Sequence, residues 1–461
     1  MDSDDNMLVH IFQSFTLHMT DDLRKRYLRL LWKAVHRETE ASVRLNIEDM
    51  HKRLPFQDHT NAFKPTLHLG QRKLFLCELR LLTKLYPWTS DTMFVYAGAA
   101  PCIHLPYLYR LFPGLRTILI DPHKFIIKRL ADTHINIKYI RHLSELGYYA
   151  RDKSVNCMIY NSLFTDETAH AIKELSVPIV FISDIRTKTS DDSAFPSDMD
   201  LLWNNCQQYL WIQIIKPTWC MLKFRYIYFT GLDAGKPEVP NEAQAFDFNR
   251  ARKSYGIDFV GEYLKRRMYY FDGEVWVQPF AGVSSSECRL VFSNMSEGKM
   301  KEYNTQKEFE SLFFYYNLID RPLTIHENDN ATEALGFDKC GDCAAENAIW
   351  KMYKKLAIRK ITVQDEVRNL GIFLGQPLMQ GPHGHLMNNV TQSNIWYFLS
   401  QETKESRIQR TTPATPEERQ KQYDEQAKVN KPPVKWNRPT GEYPVTSIKI
   451  HELKKLYCFD D

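Results

Sequence analysis

Glycine is scarce in this sequence, 18 residues in 461, roughly half the share usual in folded proteins. Collagen-like and glycine-rich flexible chains are excluded, and the GxGxxG spacing that cradles a pyrophosphate is absent. Long apolar runs are missing too: no stretch approaches the roughly 18 residues of a membrane-spanning helix. Neither sign of charge dominates, since 60 Lys and Arg face 56 Asp and Glu for a net charge of +4. Bulk charge therefore does not mark a nucleic-acid binder, and any basic site must be local. Cysteine is sparse and odd in number, nine residues spread from Cys77 to Cys458, which fits a reducing compartment and no disulfide ladder. The opening Met1-Asp2-Ser3-Asp4-Asp5 is acidic where a secretory leader is basic. The expectation is a soluble, non-secreted protein without a membrane partner.

Aromatics reach 13% of the chain, enough to build a core, and the length suggests two or three domains. Apolar residues at three- and four-residue steps predict helices from Asp21 to about Val43 and from Gly70 to near Pro87. Short apolar runs follow at Met93 to Tyr96, Thr117 to Ile120, Val155 to Tyr160 and Val177 to Ile182, separated by helix-length segments. Such alternation predicts an α/β fold with a parallel sheet. Trp219 to Tyr228 and Cys288 to Ser293 bring the expected sheet to six or seven strands, ending near residue 295. Helical patterns return at Phe309 to Tyr316 and Ala344 to Leu356, and Gln401 to about Tyr443 is polar and proline-containing, as in an exposed linker. The resulting division is an N-terminal helical extension (1–62), an α/β domain (63–320), a mostly helical extension (321–400) and a polar tail (401–461).

Small residues, Ala97-Gly98-Ala99-Ala100-Pro101, follow the first strand, and Asp121 ends the second. A small residue at a strand's carboxyl end lets a nucleoside approach the backbone, and an acid after the next strand can accept ribose hydroxyls. Without pyrophosphate glycines this favours a ligand lacking phosphates, although on these residues alone Gly98 reads equally well as a plain strand end. Lys73, Asp184, Lys223 and Glu287 fall where a sheet converges side chains on one crevice. A lysine near pKa 10.4 is depressed by burial and a second cation, and two carboxylates orient it, so that it can take a proton from a ribose hydroxyl. Taken singly, Lys73 and Glu78 read as solvated helix residues, Asp184 as a turn cap, Glu287 as a partner of Arg289 and His104 as a loop histidine. Cys340 and Cys343 have CxxC spacing, with His383 and His385 as distant further ligands; the plainer reading is a helix start without metal.

The segments Leu69 to Leu79, Val95 to Pro101, Leu119-Ile120-Asp121, Ile182 to Lys188, Leu222-Lys223-Phe224-Arg225, Gln278-Pro279-Phe280-Ala281 and Ser286 to Leu290 occur in order and together resemble the poxvirus cap-specific mRNA (nucleoside-2′-O-)methyltransferases. In those viruses the same protein is the regulatory subunit of the poly(A) polymerase. The resemblance runs from about residue 65 to 320. It implies a Rossmann-like methyltransferase domain, S-adenosyl-L-methionine as cofactor, and methyl transfer to the ribose 2′-hydroxyl of the first transcribed nucleotide of capped mRNA. The catalytic tetrad would be Lys73, Asp184, Lys223 and Glu287, with Lys223 nearest the hydroxyl and no metal. Gln71, Tyr96, Gly98, Ala100, His104, Asp121, Leu143 and Arg186 match positions around the cofactor. Tyr228 matches a cap-stacking aromatic and Glu310 a cap-binding carboxylate, with Phe56 or Phe63 as the second aromatic. The implied partners are capped mRNA and a poly(A) polymerase catalytic subunit, in the cytoplasm of an infected cell, its viral factory or a virion. An RNA-binding processivity subunit, with or without transfer activity, is the alternative. The chain departs from the family at Cys102, where a glycine is expected, at Thr230, where an aspartate is expected, and over residues 325–461, for which the resemblance offers no guide.

Overall fold

The run Met93-Phe94-Val95-Tyr96-Ala97 is buried at every residue, as a strand covered on both faces should be. It is β1 (Met93–Ala97), in the middle of the sheet of a computed structural model that describes residues 43–51, 53, 69–128, 130, 132–187, 189, 196–282, 285–293, 299–303, 306–317, 321 and 341–374. The helix expected over 21–43 lies almost wholly outside the described residues, as do Phe56, Phe63, Cys340, His383, His385 and the 401–443 segment. The further strands are β2 (Thr117–Ile120), β3 (Ile137–Ile140), β4 (Cys157–Tyr160), β5 (Ile179–Ser183), β6 (Trp219–Phe224), β7 (Met268–Phe271), β8 (Glu274–Trp276), β9 (Cys288–Ser293) and β10 (Met300–Tyr303). Eight of them form one sheet in the order β3-β4-β2-β1-β5-β6-β9-β8, while β7 and β10 make a separate antiparallel ribbon. Within the large sheet, β9 alone among the described strands runs against its neighbours.

The helices are α1 (Gly70–Leu85), α2 (Leu105–Leu111), α3 (Glu145–Arg151), α4 (Asp166–Lys173), α5 (Asp198–Ile215), α6 (Thr230–Asp233), α7 (Glu242–Tyr255), α8 (Phe259–Leu264), α9 (Gln306–Tyr315), α10 (Gly341–Lys355) and α11 (Val363–Leu374). Successive side chains of a strand point to opposite faces, and β1 divides accordingly. Met93, Val95 and Ala97 join the core with residues of α3, α4, α5, α7 and α8. Phe94 and Tyr96 join the core with residues of α1, α2, α10 and α11. Helices on both faces of a mostly parallel sheet make this a doubly wound, Rossmann-like α/β fold.

Two strands escape the sequence pattern, so the sheet has eight members where six or seven were expected. β3 is a partly exposed edge strand carrying Lys138, and β8 is a three-residue strand at the opposite edge. Neither forms the continuous apolar run that marks an interior strand. The expected strand Trp219 to Tyr228 stops at Phe224, because its partner β9 begins at Cys288, opposite Phe224, and no ladder continues beyond.

Chain order reverses at β1, which pairs in parallel with β2 on one side and β5 on the other. Ligands of open α/β sheets bind outside the carboxyl ends of strands at such a reversal. There the backbones of Gly98 and Asp184 meet: the Asp184 amide donates to the Ala97 carbonyl at 2.9 Å. Gly98 has φ +77°, and a Cβ on it would stand 3.0 Å from both the Asp184 carbonyl carbon and the Ile185 nitrogen. A side chain is excluded both by backbone conformation and by space. Gly98→Ala is therefore expected to cost about 1–3 kcal/mol of stability, read as a lower denaturant midpoint; an unchanged midpoint contradicts this close approach.

Candidate active site

Lys73 lies in the first turn of α1, Asp184 directly follows β5, Lys223 sits in β6 opposite Arg289 of β9, and Glu287 immediately precedes β9. Four separate elements thus bring four charged side chains to one end of the sheet. The Lys73 ammonium donates to Glu287 Oε1 at 2.9 Å. Lys223 Nζ stands 3.3 Å from Glu287 Oε2 and 3.4 Å from Asp184 Oδ1. Arg289 Nη2 closes the series 2.7 Å from Asp184 Oδ1. The charges alternate in sign from Lys73 through Glu287, Lys223 and Asp184 to Arg289. The four outer side chains keep 12–18% exposure, whereas Arg289 keeps 1%. A small molecule can reach the four; Arg289 supports them from beneath. The plain expectation that Glu287 pairs with Arg289 is corrected, because the guanidinium turns to Asp184 and leaves Glu287 to the two lysines.

Burial alone would push both carboxyls up. For Asp184, Arg289 and Lys223 outweigh that effect and hold it below the ordinary carboxylate value. For Glu287, Lys223, Lys73 and Arg289 do the same more strongly and hold it well below. Burial opposes the charge on Arg289, yet Asp184 beside it raises its pKa above the usual value. Gln278 completes the support: its Nε2 donates to Glu287 Oε1 at 3.1 Å, and its Oε1 accepts from Arg289 Nε at 2.9 Å. Sequence reasoning assigned no role to Gln278 and paired Arg289 with Glu287 rather than Asp184, although both stand in segments that carry the resemblance.

The crevice beside this cluster is lined by the loop after β1. The Ala100 amide donates to Asp121 Oδ2 at 3.1 Å, while Asp121 Oδ1 accepts from the His123 amide at 2.8 Å. His123 Nδ1 also lies 2.8 Å from Asp121 Oδ1, so Asp121 is fixed at the end of β2 with acceptor capacity left on Oδ2. Tyr96 is buried in β1, and burial, then Glu78 and Asp184, push its phenol well above its usual pKa. Cys102 has φ 54°, the left-handed region that suits the glycine expected there; the backbone shape survives with a buried thiol in place of a hydrogen. Leu143 packs against the core at the start of α3. Arg186 follows β5, where burial lowers its pKa to about 10. Its Nη2 is shut from water without a hydrogen-bond partner.

Gln71 and His104 meet each other behind the loop. His104 Nδ1 is 2.9 Å from Gln71 Oε1, an oxygen that also accepts from the Ile103 amide at 3.1 Å. His104 Nε2 is 2.9 Å from Glu78 Oε2. His104 is fully buried and Glu78 nearly so, so neither is the solvated residue that each suggests in isolation. They are a polar strut between α1 and the loop. A nucleoside ligand fits this lining: Gly98 offers a bare backbone and Asp121 an acceptor.

The two cap-binding candidates lie near each other, Tyr228 against Ser286, the residue before Glu287. The Tyr228 hydroxyl bonds the Ser286 hydroxyl, and the Arg225 guanidinium lies 4.7 Å from the tyrosine ring centroid. Burial raises the Tyr228 phenol pKa, and Glu310 adds to the rise, which sets that carboxylate within electrostatic reach. Glu310 is half-buried on α9, and burial raises its own carboxyl pKa. Cys343 is buried on α10. Among the described residues no group of three His, Cys, Asp or Glu side chains is placed to hold a metal ion.

Over 267 residues, 56% of this chain and 70% of the relative, the sequence is 26% identical to the cap-specific mRNA (nucleoside-2′-O-)-methyltransferase of Fowlpox virus (strain NVSL). The sequence profile of the poly A polymerase regulatory subunit family matches residues 44–233, a span that includes α1, the Gly98 loop, Asp184 and Lys223. Residues 44–233 of the chain are thus similar to the poly A polymerase regulatory subunit family.

Proposed function

We propose that this chain is a cap-specific mRNA (nucleoside-2′-O-)methyltransferase. The observation that carries the reading is the Lys223 amine between Asp184 and Glu287, beside the close backbone approach at Gly98. The similarity to a protein of that printed activity supports a methyltransferase. S-adenosyl-L-methionine, when bound, supplies a methyl group on a sulfonium, an electrophile that needs no metal. Asp121 would accept from its ribose, and the backbone at Gly98 and Ala100 would lie along its methionine part, with Tyr96, Leu143 and Arg186 around it and Gln71 and His104 holding the loop from behind. With the cofactor bound, Lys223 in its neutral form would take the proton of the RNA 2′-hydroxyl as that oxygen accepts the methyl group, leaving the sulfur as a neutral thioether. Asp184 and Glu287 orient the Lys223 amine, and Lys73 holds Glu287 in place. Both carboxylates also stabilise the lysine once it is protonated.

Tyr228 and Glu310 would take the cap, the ring stacking on the cationic base and the carboxylate accepting from its edge. The transfer domain would be residues 63–320, flanked by extensions at 1–62 and 321–400 and the tail at 401–461. Among the described residues no helix is long and apolar enough to cross a membrane, and we place the protein in the cytoplasm of an infected cell, at the viral factory or in the virion. A second reading rests on the family description: an RNA-binding processivity subunit of a poly(A) polymerase, bound to its catalytic subunit. Copurification of a polymerase subunit, with RNA affinity independent of the cap, distinguishes it.

Methyl transfer to short RNAs with a methylated cap, an unmethylated cap or no cap is expected only for the first. Lys223→Ala should reduce the rate by about 10²- to 10⁴-fold, the range for losing a general base, with the fold intact by circular dichroism. Tight RNA binding with no transfer to any of the three RNAs would favour the polymerase subunit.

A pH dependence of stability follows from the carboxyls. Asp184 and Glu287 titrate lower in the folded chain than in the unfolded one. The stability they contribute is complete above the ordinary carboxylate range, about pH 4, and is lost as pH falls through their lowered values. Glu287→Gln should therefore flatten the fall in unfolding free energy below about pH 4; equal slopes for variant and wild type contradict the assignment.

A further inference from the structure

The helices beyond the matched segment reach the reactive cluster from behind through two buried arginines. Arg72, next to Lys73 in the first turn of α1, makes a bidentate pair with Glu346 of α10: Nε to Oε2 at 2.8 Å and Nη2 to Oε1 at 2.6 Å. Arg321 makes a second bidentate pair with Asp342 of α10, at 3.0 and 2.8 Å. All four side chains are 0–1% exposed. Asp342 and Glu346 stand one helical turn apart, so a single helix holds both arginines. The same Arg321 donates through Nη2 to the Ala281 carbonyl at 2.9 Å and through Nη1 to Asn317 Oδ1 at 2.7 Å. Asn317 Nδ2 in turn donates to the Ser285 carbonyl at 2.9 Å, two residues before Glu287. One arginine therefore ends beside Lys73 and the other on the loop that carries Glu287. The Leu69 amide, donating to the Phe280 carbonyl at 3.0 Å, ties the two ends together. α10 is itself fixed by Trp350, whose ring centroid lies 5.6 Å from that of Phe75, and by the Tyr353 hydroxyl donating to the Leu111 carbonyl at 2.6 Å.

We propose that α10 braces the Lys73–Glu287 contact, making Glu346 and Asp342 positioning residues for the reaction carried out at Lys223. The inference rests on the proposed function for its kinetic consequences but not for its structural one. Buried ion pairs are weak sources of net stability, because desolvation offsets their attraction. What a bidentate arginine–carboxylate pair supplies is fixed geometry. Here that geometry converges on two side chains whose separation sets where Lys223 stands. The Glu366 side chain of α11 offers an internal control: it takes the Tyr107 hydroxyl at 2.5 Å and Arg110 Nη1 at 2.6 Å, both on α2, while α11 meets Arg72 only through the backbone carbonyl of Val367, at 3.2 Å from Nη2, which a side-chain change at 366 leaves in place.

The test compares Glu346→Gln, Asp342→Asn and Glu366→Gln in the full chain. The first readout is the Lys73 Nζ to Glu287 Oε1 distance in crystals of each variant. The second is kcat and KM for methyl transfer, normalised to sites titrated with S-adenosylhomocysteine, with the pH–rate profile. The brace predicts that the 2.9 Å contact opens beyond about 4 Å, the limit of an ion pair, in Glu346→Gln and Asp342→Asn but not in Glu366→Gln. It also predicts a fall in kcat per titrated site of about tenfold or more, a misplacement effect, with KM little changed and the pH–rate profile displaced. A contact kept near 2.9 Å with an unmoved pH profile overturns the brace, even if the variants melt earlier. If Glu346→Gln does not fold, Arg72→Met with Glu346→Leu removes both charges together. A folded double variant that transfers methyl at the wild-type rate overturns the proposal, and one that is slow per titrated site supports it. Should the wild-type chain transfer no methyl, the reading of the site fails, and the crystallographic distance still decides the brace.

Discussion

Five charges alternating in sign at the carboxyl end of the sheet are the constraint on which the rest of the structure depends. Lys73, Glu287, Lys223, Asp184 and Arg289 come from α1, the 285–287 loop, β6, the end of β5 and β9. None of the two carboxylates and three cations could be moved alone without leaving a charge stranded in a poorly solvated place, which is costly. The cluster therefore locks the register of β6 against β9, where Lys223 faces Arg289. It also fixes the entry angle of α1, whose first turn must present Lys73. The antiparallel β9 acquires a clear purpose in this light: running back against β6, it delivers Glu287 and Arg289 to the same end of the sheet as Asp184.

The reversal of strand order at β1 supplies the second requirement, an open crevice beside that cluster. Gly98 leaves its turn in a conformation that side chains avoid and brings its backbone against that of Asp184. The loop is held from one side by Asp121, which takes the Ala100 amide, and from behind by the Gln71–His104–Glu78 strut. The Gly98 turn and the charged cluster thus share Asp184, whose backbone meets Gly98 and whose carboxylate meets Lys223.

Much of this was legible in the sequence because interior strands are continuous apolar runs. β1, β2, β4, β5, β6 and β9 were all visible in that way, and α1 was visible from its periodicity with Gly70 and Pro87 at its ends. β3 and β8 were not, since an edge strand has neither the length nor the apolar continuity of an interior one. Lys73, Asp184, Lys223 and Glu287 were picked out by strand ends and by resemblance, and the structure brings all four together. The supporting layer was hidden for a different reason. Arg72 meets Glu346 across 274 positions of chain, and no local pattern distinguishes such an arginine from one facing water. Glu78 and His104 misled in the same manner, each ordinary alone and buried against the other in the fold.

The most direct test of the account is to locate the methyl group. Capped RNA incubated with the protein and S-adenosylmethionine would be digested to nucleosides, and the first transcribed nucleotide analysed by mass spectrometry. A methyl group on the ribose 2′-oxygen of that nucleotide alone, absent when Lys223→Ala replaces the wild-type chain, is the predicted result. A methyl group on a base, or one that survives the loss of Lys223, would contradict the account.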